Sequence, residues 1–339
     1  MSVRTTYNYW KKGFERSGLI PEKTAEYLAY IKPLLKQDLP IIFDFEHLCL
    51  LLGCQASYLA SVVNANKCHY RSFDIPKRSG GRRIITAPYS TLLHCQRWIY
   101  QHILLKVPIH PSAHGFCYKK SIITNAKVHI GQNHFLKIDL EDFFPSIKIN
   151  QVINVFKSLG YTQMVSFYLA SICCYEDSLP QGAPTSPVLS NIIAKHMDNR
   201  LMKFSRRFQF KYSRYADDLA FSGERITAKH LEYITGIIES CGFIINEDKT
   251  VLKQSKQRRI ITGLSIAGEQ IRLPREYKRN LKLEIHHILK NGWVLHMRNR
   301  RIKNPDYQRV IVGKINFWLS VEPENEFAKR ALEQLKVGI

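Results

Sequence analysis

Apolar positions recur along this chain at two spacings, one helical and one alternating, and the order in which they change outlines a fold. Pro21 opens a helix carrying Ala25, Leu28, Ile31 and Leu35 on one side. A second helix is predicted over 46–63, with Leu48, Leu52, Leu59 and Val63 as its apolar positions. Residues 70–87 read as a β-hairpin: Arg71, Phe73 and Ile75 alternate with polar neighbours, Ser79-Gly80-Gly81 turns the chain, and Arg83-Ile84-Ile85 returns. A helix over 90–105 follows, marked by Leu93, Arg97 and Tyr100, and 108–133 is irregular.

From residue 134 the pattern sharpens. Phe135 to Leu140 reads as a buried strand, and 148–176 is mostly helical. The segment Leu179-Pro180-Gln181-Gly182-Ala183-Pro184-Thr185-Ser186-Pro187 is rigid turn material feeding one helix over 188–208. Two short strands flank Tyr215-Ala216-Asp217-Asp218, then come a helix over 227–241, a strand at 243–245 and a small β-element at 260–266. Setting aside the helices at 149–175, the order is strand, helix, hairpin, helix, strand. That is the split βαβ pattern, an α+β fold that places Asp139 on one strand and Asp217 on the neighbouring hairpin. The remainder, about 270–339, predicts a separate helical unit.

Charge changes the picture next. The 339 residues carry 50 Lys plus Arg against 28 Asp plus Glu, a formal +22. Such an excess repels itself in a compact fold and calls for a polyanionic partner, nucleic acid above all. No run of about 18 apolar residues predicts a membrane span, and the basic residues are not gathered on one amphipathic helix. The eight cysteines form no CxxC pair, and no secretion signal is read at the start, so reduced thiols and a cytoplasmic location are expected. The basic tip with Lys77, Arg78, Arg82 and Arg83 suits a triphosphate or a template backbone. Residues 270–314 are dense in Lys and Arg, including Arg298, Arg300, Arg301 and Lys303, and suit the backbone of a structured RNA. Residues 1–20, with Trp10, Lys11 and Lys12, read equally as a basic arm for nucleic acid or as a packed leader.

The candidate chemistry lies in carboxylates. At a hairpin turn Asp217 and Asp218 reach toward one site; elsewhere on a strand they would point apart. Adjacent carboxylates repel unless a cation is present, and magnesium would relieve that repulsion and supply chemistry. A plain surface turn is the other reading of the pair. Asp139, near the end of its strand, adds a third carboxylate. The scattered His110, His114, His129 and His134 show no metal-ligand spacing.

Together these residues resemble the reverse transcriptases. Tyr215-Ala216-Asp217-Asp218 is similar to the polymerase catalytic box, Lys137-Ile138-Asp139-Leu140-Glu141-Asp142-Phe143-Phe144 to the segment of the other catalytic aspartate, and Leu179 to Pro187 to the loop beside the incoming nucleotide. Asn125-Ala126-Lys127-Val128-His129 and Ile261-Thr262-Gly263 resemble two signatures of the bacterial retron enzymes, the second with Ile in place of Val. The resemblance covers nearly the whole chain and is weakest over the first 40 or so residues. It implies a right-hand polymerase without an RNase H domain: an N-terminal helical extension at 1–66, fingers at 67–133 and 149–178, palm at 134–148 and 179–268, and a basic helical thumb at 269–339.

The resemblance also implies roles. Asp139, Asp217 and Asp218 would bind two magnesium ions. Lys77 and Arg82 would contact the deoxynucleoside triphosphate, Gln181 the nucleotide or template, and Lys249 would assist near the phosphates. Phe144 resembles the steric gate against a ribose 2′-hydroxyl. Asn125 and His129 would serve a retron-specific, nucleic-acid-binding region together with Arg298, Arg300, Arg301 and Lys303. The implied partners are a cognate noncoding RNA, used as template and as primer from a guanosine 2′-hydroxyl, its RNA-linked DNA product, and an accessory effector or toxin in anti-phage defence. Alternatives are a reverse transcriptase of another bacterial type, an RNA-directed RNA polymerase, and a noncatalytic RNA-binding scaffold that restrains a toxin.

Overall fold

The computed structural model describes residues 3–76, 80–254, 257 and 259–336. Helices α1 (Val3–Arg16) and α2 (Pro21–Lys36) pack together through Trp10, Phe14, Tyr27 and Phe43, whose rings meet at 5.4–6.3 Å. The start of the chain is therefore a packed leader on that side, with Tyr9 left exposed. In α2 the buried stripe is Thr24, Leu28, Ile31 and Leu34, so Leu34 takes the place expected of Leu35. The helix expected over 46–63 is two, α3 (Phe45–Leu52) and α4 (Ala56–Asn64), bent by 110°. Gly53 ends α3 at φ 65, a left-handed cap that glycine adopts without strain.

Strands β1 (Tyr70–Pro76) and β2 (Arg82–Pro88) form the predicted antiparallel hairpin. In α5 (Ser90–His102) the buried face is Leu92, Cys95, Gln96 and Ile99 rather than Leu93, Arg97 and Tyr100. Gln96 disguised that stripe: it is fully buried because its amide donates to Tyr70 Oη at 2.7 Å and to the Ile172 carbonyl at 2.8 Å. Helix α6 (Ile122–Lys127) precedes β3 (His134–Leu140), and α7 (Ile149–Ser158) and α8 (Gln163–Cys173) follow it. The helix expected over 188–208 breaks at Ala194 into α9 (Ser186–Ile193) and α10 (Lys195–Arg207).

Strands β4 (Lys211–Tyr215) and β5 (Asp218–Gly223), helix α11 (Ala228–Glu239) and strand β6 (Ile245–Lys253) complete an antiparallel sheet of order β4-β5-β3-β6. This is the split βαβ arrangement. β6 begins two residues later than expected and runs far longer. It is an edge strand with mostly exposed residues, so its sequence need not alternate.

Two-residue strands β7 (Ile260–Ile261) and β8 (Leu264–Ser265) are joined by Thr262 at φ 45 and Gly263 at φ 84. Two positive φ values in a two-residue turn give a physical reason for the Thr-Gly pair. Helices α12 (Arg275–Asn299), α13 (Tyr307–Val321) and α14 (Glu326–Lys336) end the chain, α12 kinking where Gly292 takes φ 74.

One apolar core joins α2–α5 to the main sheet and α7–α11; a second fills the C-terminal helices around Ile311, Ile315 and Trp318 and reaches Phe135 and Ala220 on the sheet. Among the described residues no single helix is long and apolar enough to cross a membrane.

Candidate active site on the main sheet

The link between β4 and β5 is Ala216-Asp217. Ala216 sits at φ 57, where glycine is usual, so neighbouring groups must hold the turn. Gly115 lies directly against it: a Cβ there would meet Ala216 N at 2.7 Å. The Leu140 N–H donates to the Asp217 carbonyl at 3.0 Å and ties the turn to the end of β3. Arg214 Nη1 donates to the Ala216 carbonyl at 3.2 Å.

Arg214 is itself fully buried, and so is its partner Asp198. Nε donates to Asp198 Oδ1 at 2.8 Å and Nη2 to Oδ2 at 2.7 Å, a bidentate pair. Tyr212 Oη donates to Asp198 Oδ1 at 2.7 Å, and Arg214 Nη1 donates to Asn191 Oδ1 at 3.0 Å. Asn191 Nδ2 in turn donates to the Gly115 carbonyl at 2.9 Å. Buried charges persist only when paired and hydrogen-bonded. Here those bonds also brace the turn and the glycine against it.

Strand register sets the carboxylates. Asp139 lies directly opposite Asp218 across β3 and β5, and directly paired residues project to the same face. Asp217 adds its carboxylate from the turn. Asp139 is buried, and Asp217 and Asp218 are half-buried. Burial and then the neighbouring Asp218 push the Asp217 carboxyl above its ordinary range. Burial also raises Asp218, against the pull of Lys137.

Two ammonium groups face this cluster. Lys249 Nζ lies 2.7 Å from Asp139 Oδ2, and Lys137 Nζ lies 2.7 Å from Asp218 Oδ1. The bond to Asp139 raises the Lys249 pKa. Among the described residues no group of three or more His, Cys, Asp or Glu side chains is arranged to hold a metal ion by itself. Magnesium does not require one, since it binds one or two carboxylates and completes its shell with water and substrate phosphates. Asp217 and Asp218, both pushed up in pKa beside a third carboxylate, are a fitting donor set for it.

Other expected residues fall around this face. Phe144 is half-buried, its ring 5.6 Å from Phe143 and 6.2 Å from Phe116. The Gln181 carbonyl accepts from Thr86 N–H at 2.8 Å, docking the 179–187 loop on β2. Gly182 makes that approach possible, because at φ 142 a Cβ there would meet the Thr86 carbonyl oxygen at 2.6 Å. Arg82 is exposed on β2 and pairs with Asp74 at 3.2 Å, while Lys77 lies outside the described residues. Arg298, Arg300, Arg301 and Lys303 are all exposed around the end of α12.

Asn125 and His129, expected to organise a retron-specific, nucleic-acid-binding region, lie inside the fold. They are 1% and 0% exposed. His129 Nδ1 pairs with Ser222 Oγ at 2.7 Å and Nε2 with Ser213 Oγ at 2.8 Å, while Ser213 Oγ donates to Asn125 Oδ1 at 2.6 Å. The signature therefore staples α6 and the turn after it to adjacent strands β4 and β5.

Sequence reasoning missed Arg214, Asp198, Asn191, Gly115 and Lys137. Signals existed for two of them. Arg214 stands inside a short strand beside buried Tyr212 and Ser213, and Lys137 precedes Asp139 by two positions, so alternation puts both on one face.

Comparison with known proteins agrees with this geometry. The family model for reverse transcriptase (RNA-dependent DNA polymerase) matches residues 75–266. The retron Ec86 reverse transcriptase of Escherichia coli is 36% identical over 282 residues, 81% of this chain and 88% of that protein. The retron Mx162 reverse transcriptase of Myxococcus xanthus is 34% identical over 253 residues; the match takes in 64% of this chain and 52% of that longer protein. A telomerase structure from Candida albicans with a fragment of telomeric RNA is a looser likeness, with a TM-score of 0.45 and 12% identity over 79% of this chain and 62% of that one. The α+β sheet with its acidic turn, the family match and the retron relatives lead to one conclusion: the chain belongs to the retron reverse transcriptases, RNA-directed DNA polymerases with a right-hand fold of fingers, palm and helical thumb.

Proposed function

We propose that this polymerase makes branched, RNA-linked single-stranded DNA from a cognate structured noncoding RNA, priming from a guanosine 2′-hydroxyl. Its setting is a bacterial anti-phage system in the cytoplasm, with an accessory effector or toxin as partner. The observation that carries the catalytic reading is the pairing of Asp139 with Asp218 across β3 and β5, with Asp217 at the adjoining turn. Retron relatives and the two signature segments support the retron-specific part.

Asp139 and Asp217 would hold two magnesium ions, with Asp218 orienting the cluster. Such ions would supply a lowered pKa for the primer hydroxyl and neutralisation of charge on the triphosphate and its leaving group. Lys249, more than half exposed beside Asp139, would assist near the phosphates. Arg82 on the hairpin grips the triphosphate together with Lys77, and Gln181, on a loop docked to that hairpin, contacts the nucleotide or template. Phe144 blocks a 2′-hydroxyl on the incoming sugar. In this scheme 67–133 and 149–178 act as fingers, 134–148 and 179–268 as palm, 269–339 as thumb and 1–66 as an extension. The thumb's exposed Arg298, Arg300, Arg301 and Lys303 hold RNA.

Asp139→Asn and Asp217→Asn test the assignment. Each should lower primer extension by at least about a thousandfold, equivalent to about 4 kcal/mol of barrier, while RNA binding persists. Extension that survives in either folded variant would refute it.

A further inference from the structure

Phe116 is half exposed, at 49%, on the loop that follows Gly115. Its backbone lies at φ 59, a left-handed conformation rare for an aromatic residue. Such strain persists only when the surroundings impose it, and an observed outlier of this kind directs attention to function. The surroundings are plain. Asn191 bonds the Gly115 carbonyl, and Gly115 fits against Ala216 with no room for a Cβ. Cys117 Sγ donates to the carbonyls of Ala113 and Gly115 at 3.3 and 3.1 Å. The loop is thus fixed to the same Arg214–Asn191 network that braces the acidic turn.

The ring so presented lies 6.2 Å from Phe144 at an interplanar angle of 44°. Phe144 also meets the buried ring of Phe143, at 5.6 Å. Phe144 therefore contacts both a core ring and a half-exposed ring carried on a strained backbone. Folding alone does not account for the second: the strain costs stability, and a half-exposed ring returns only part of its burial free energy.

We propose that Phe116 is a positioning residue for sugar discrimination. It locks Phe144 in the orientation that closes the space beside the 2′-carbon of the incoming nucleotide. This rests on the reading of Phe144 as the steric gate, and adds that the gate is set from the acidic turn through Gly115 and Phe116.

The test uses the full chain with poly(rC) and an oligo(dG) primer, comparing kcat/KM for dGTP and GTP. Variants are Phe116→Ala, Phe116→Gly, Phe116→Leu and Phe144→Ala. An apolar pocket discriminates against an added hydroxyl by about a hundredfold, so loss of the buttress should lower the ratio roughly tenfold in Phe116→Ala. Phe116→Leu should restore most of it. Phe116→Gly should lose discrimination like Phe116→Ala yet melt no lower, because glycine relieves the backbone strain. Unchanged discrimination in Phe116→Ala and Phe116→Gly, with discrimination lost in Phe144→Ala, would overturn the proposal and leave the gate standing. Discrimination that follows melting temperature across the Phe116 series would also overturn it. Unchanged discrimination in Phe144→Ala would overturn the gate, and this proposal with it.

Discussion

Replacing Arg214 by Met should cost more than any surface substitution in this protein. The guanidinium and the Asp198 carboxylate have no solvent exposure and meet through two hydrogen bonds of 2.8 and 2.7 Å. Removing one partner leaves a buried charge uncompensated, which costs about 3–5 kcal/mol. Tyr212 still donates to Asp198, which places the loss toward the lower end of that range. For 339 residues, unfolding entropy is about 0.7 kcal/mol/K, so the melting temperature should fall by about 4–7 °C. Asp198→Leu should behave alike. The double variant removes both charges and should cost clearly less than the sum, by about 2 kcal/mol or more. Thermal melting and urea titration of the four proteins give the cycle. Primer extension below the melting range should also drop in Arg214→Met, because the Ala216 carbonyl loses its donor. Single variants that melt within about 1 °C of the parent, or a double variant equal to the sum, would refute the reasoning.

Gly182→Ala should loosen the docking of the 179–187 loop on β2, since its Cβ would meet the Thr86 carbonyl oxygen at 2.6 Å; a raised KM for nucleotide in steady-state extension would report it. Burial pushes the His129 imidazole down to about 3. Because the unfolded chain binds that proton near the ordinary value of about 6.5, stability is full above it and falls as pH drops toward 3, by up to about 1.4 kcal/mol per unit. His129→Gln should therefore melt with a flatter pH dependence between about pH 6.5 and 4.5. Reversing Arg298, Arg300, Arg301 and Lys303 to Glu should weaken RNA binding and reduce its salt slope by about one for each phosphate left without its cation; unchanged affinity would move RNA binding elsewhere.

The order of strands and the place of the acidic turn were legible because strong local signals carried them. Phe135 to Leu140 is short and apolar at four of its six positions, and Asp217-Asp218 interrupts two alternating runs. Element breaks were less legible. Gly53 and Ala194 each split what reads as one continuous helical pattern, and only tertiary packing decides the direction in which the chain resumes. β6 reads short in the sequence because an edge strand can be polar on most positions. The network behind the site was hidden for a different reason: Arg214, Asp198 and Asn191 are far apart in sequence, and polar residues are ordinarily assigned to the surface. Asn125 and His129 stand out in the sequence, but only the fold reveals that Ser222 and Ser213 bond both His129 ring nitrogens and that Ser213 donates to Asn125 Oδ1.

The most direct test of the central claim is to sequence nucleic acid copurified with the protein from its native locus, with and without RNase treatment and debranching. The parent is compared with an Asp217→Ala, Asp218→Ala double variant. The account predicts one short, discrete DNA joined to one RNA through a 2′–5′ junction in the parent, and none in the variant. Heterogeneous unbranched DNA, or the same branched DNA from the variant, would contradict it.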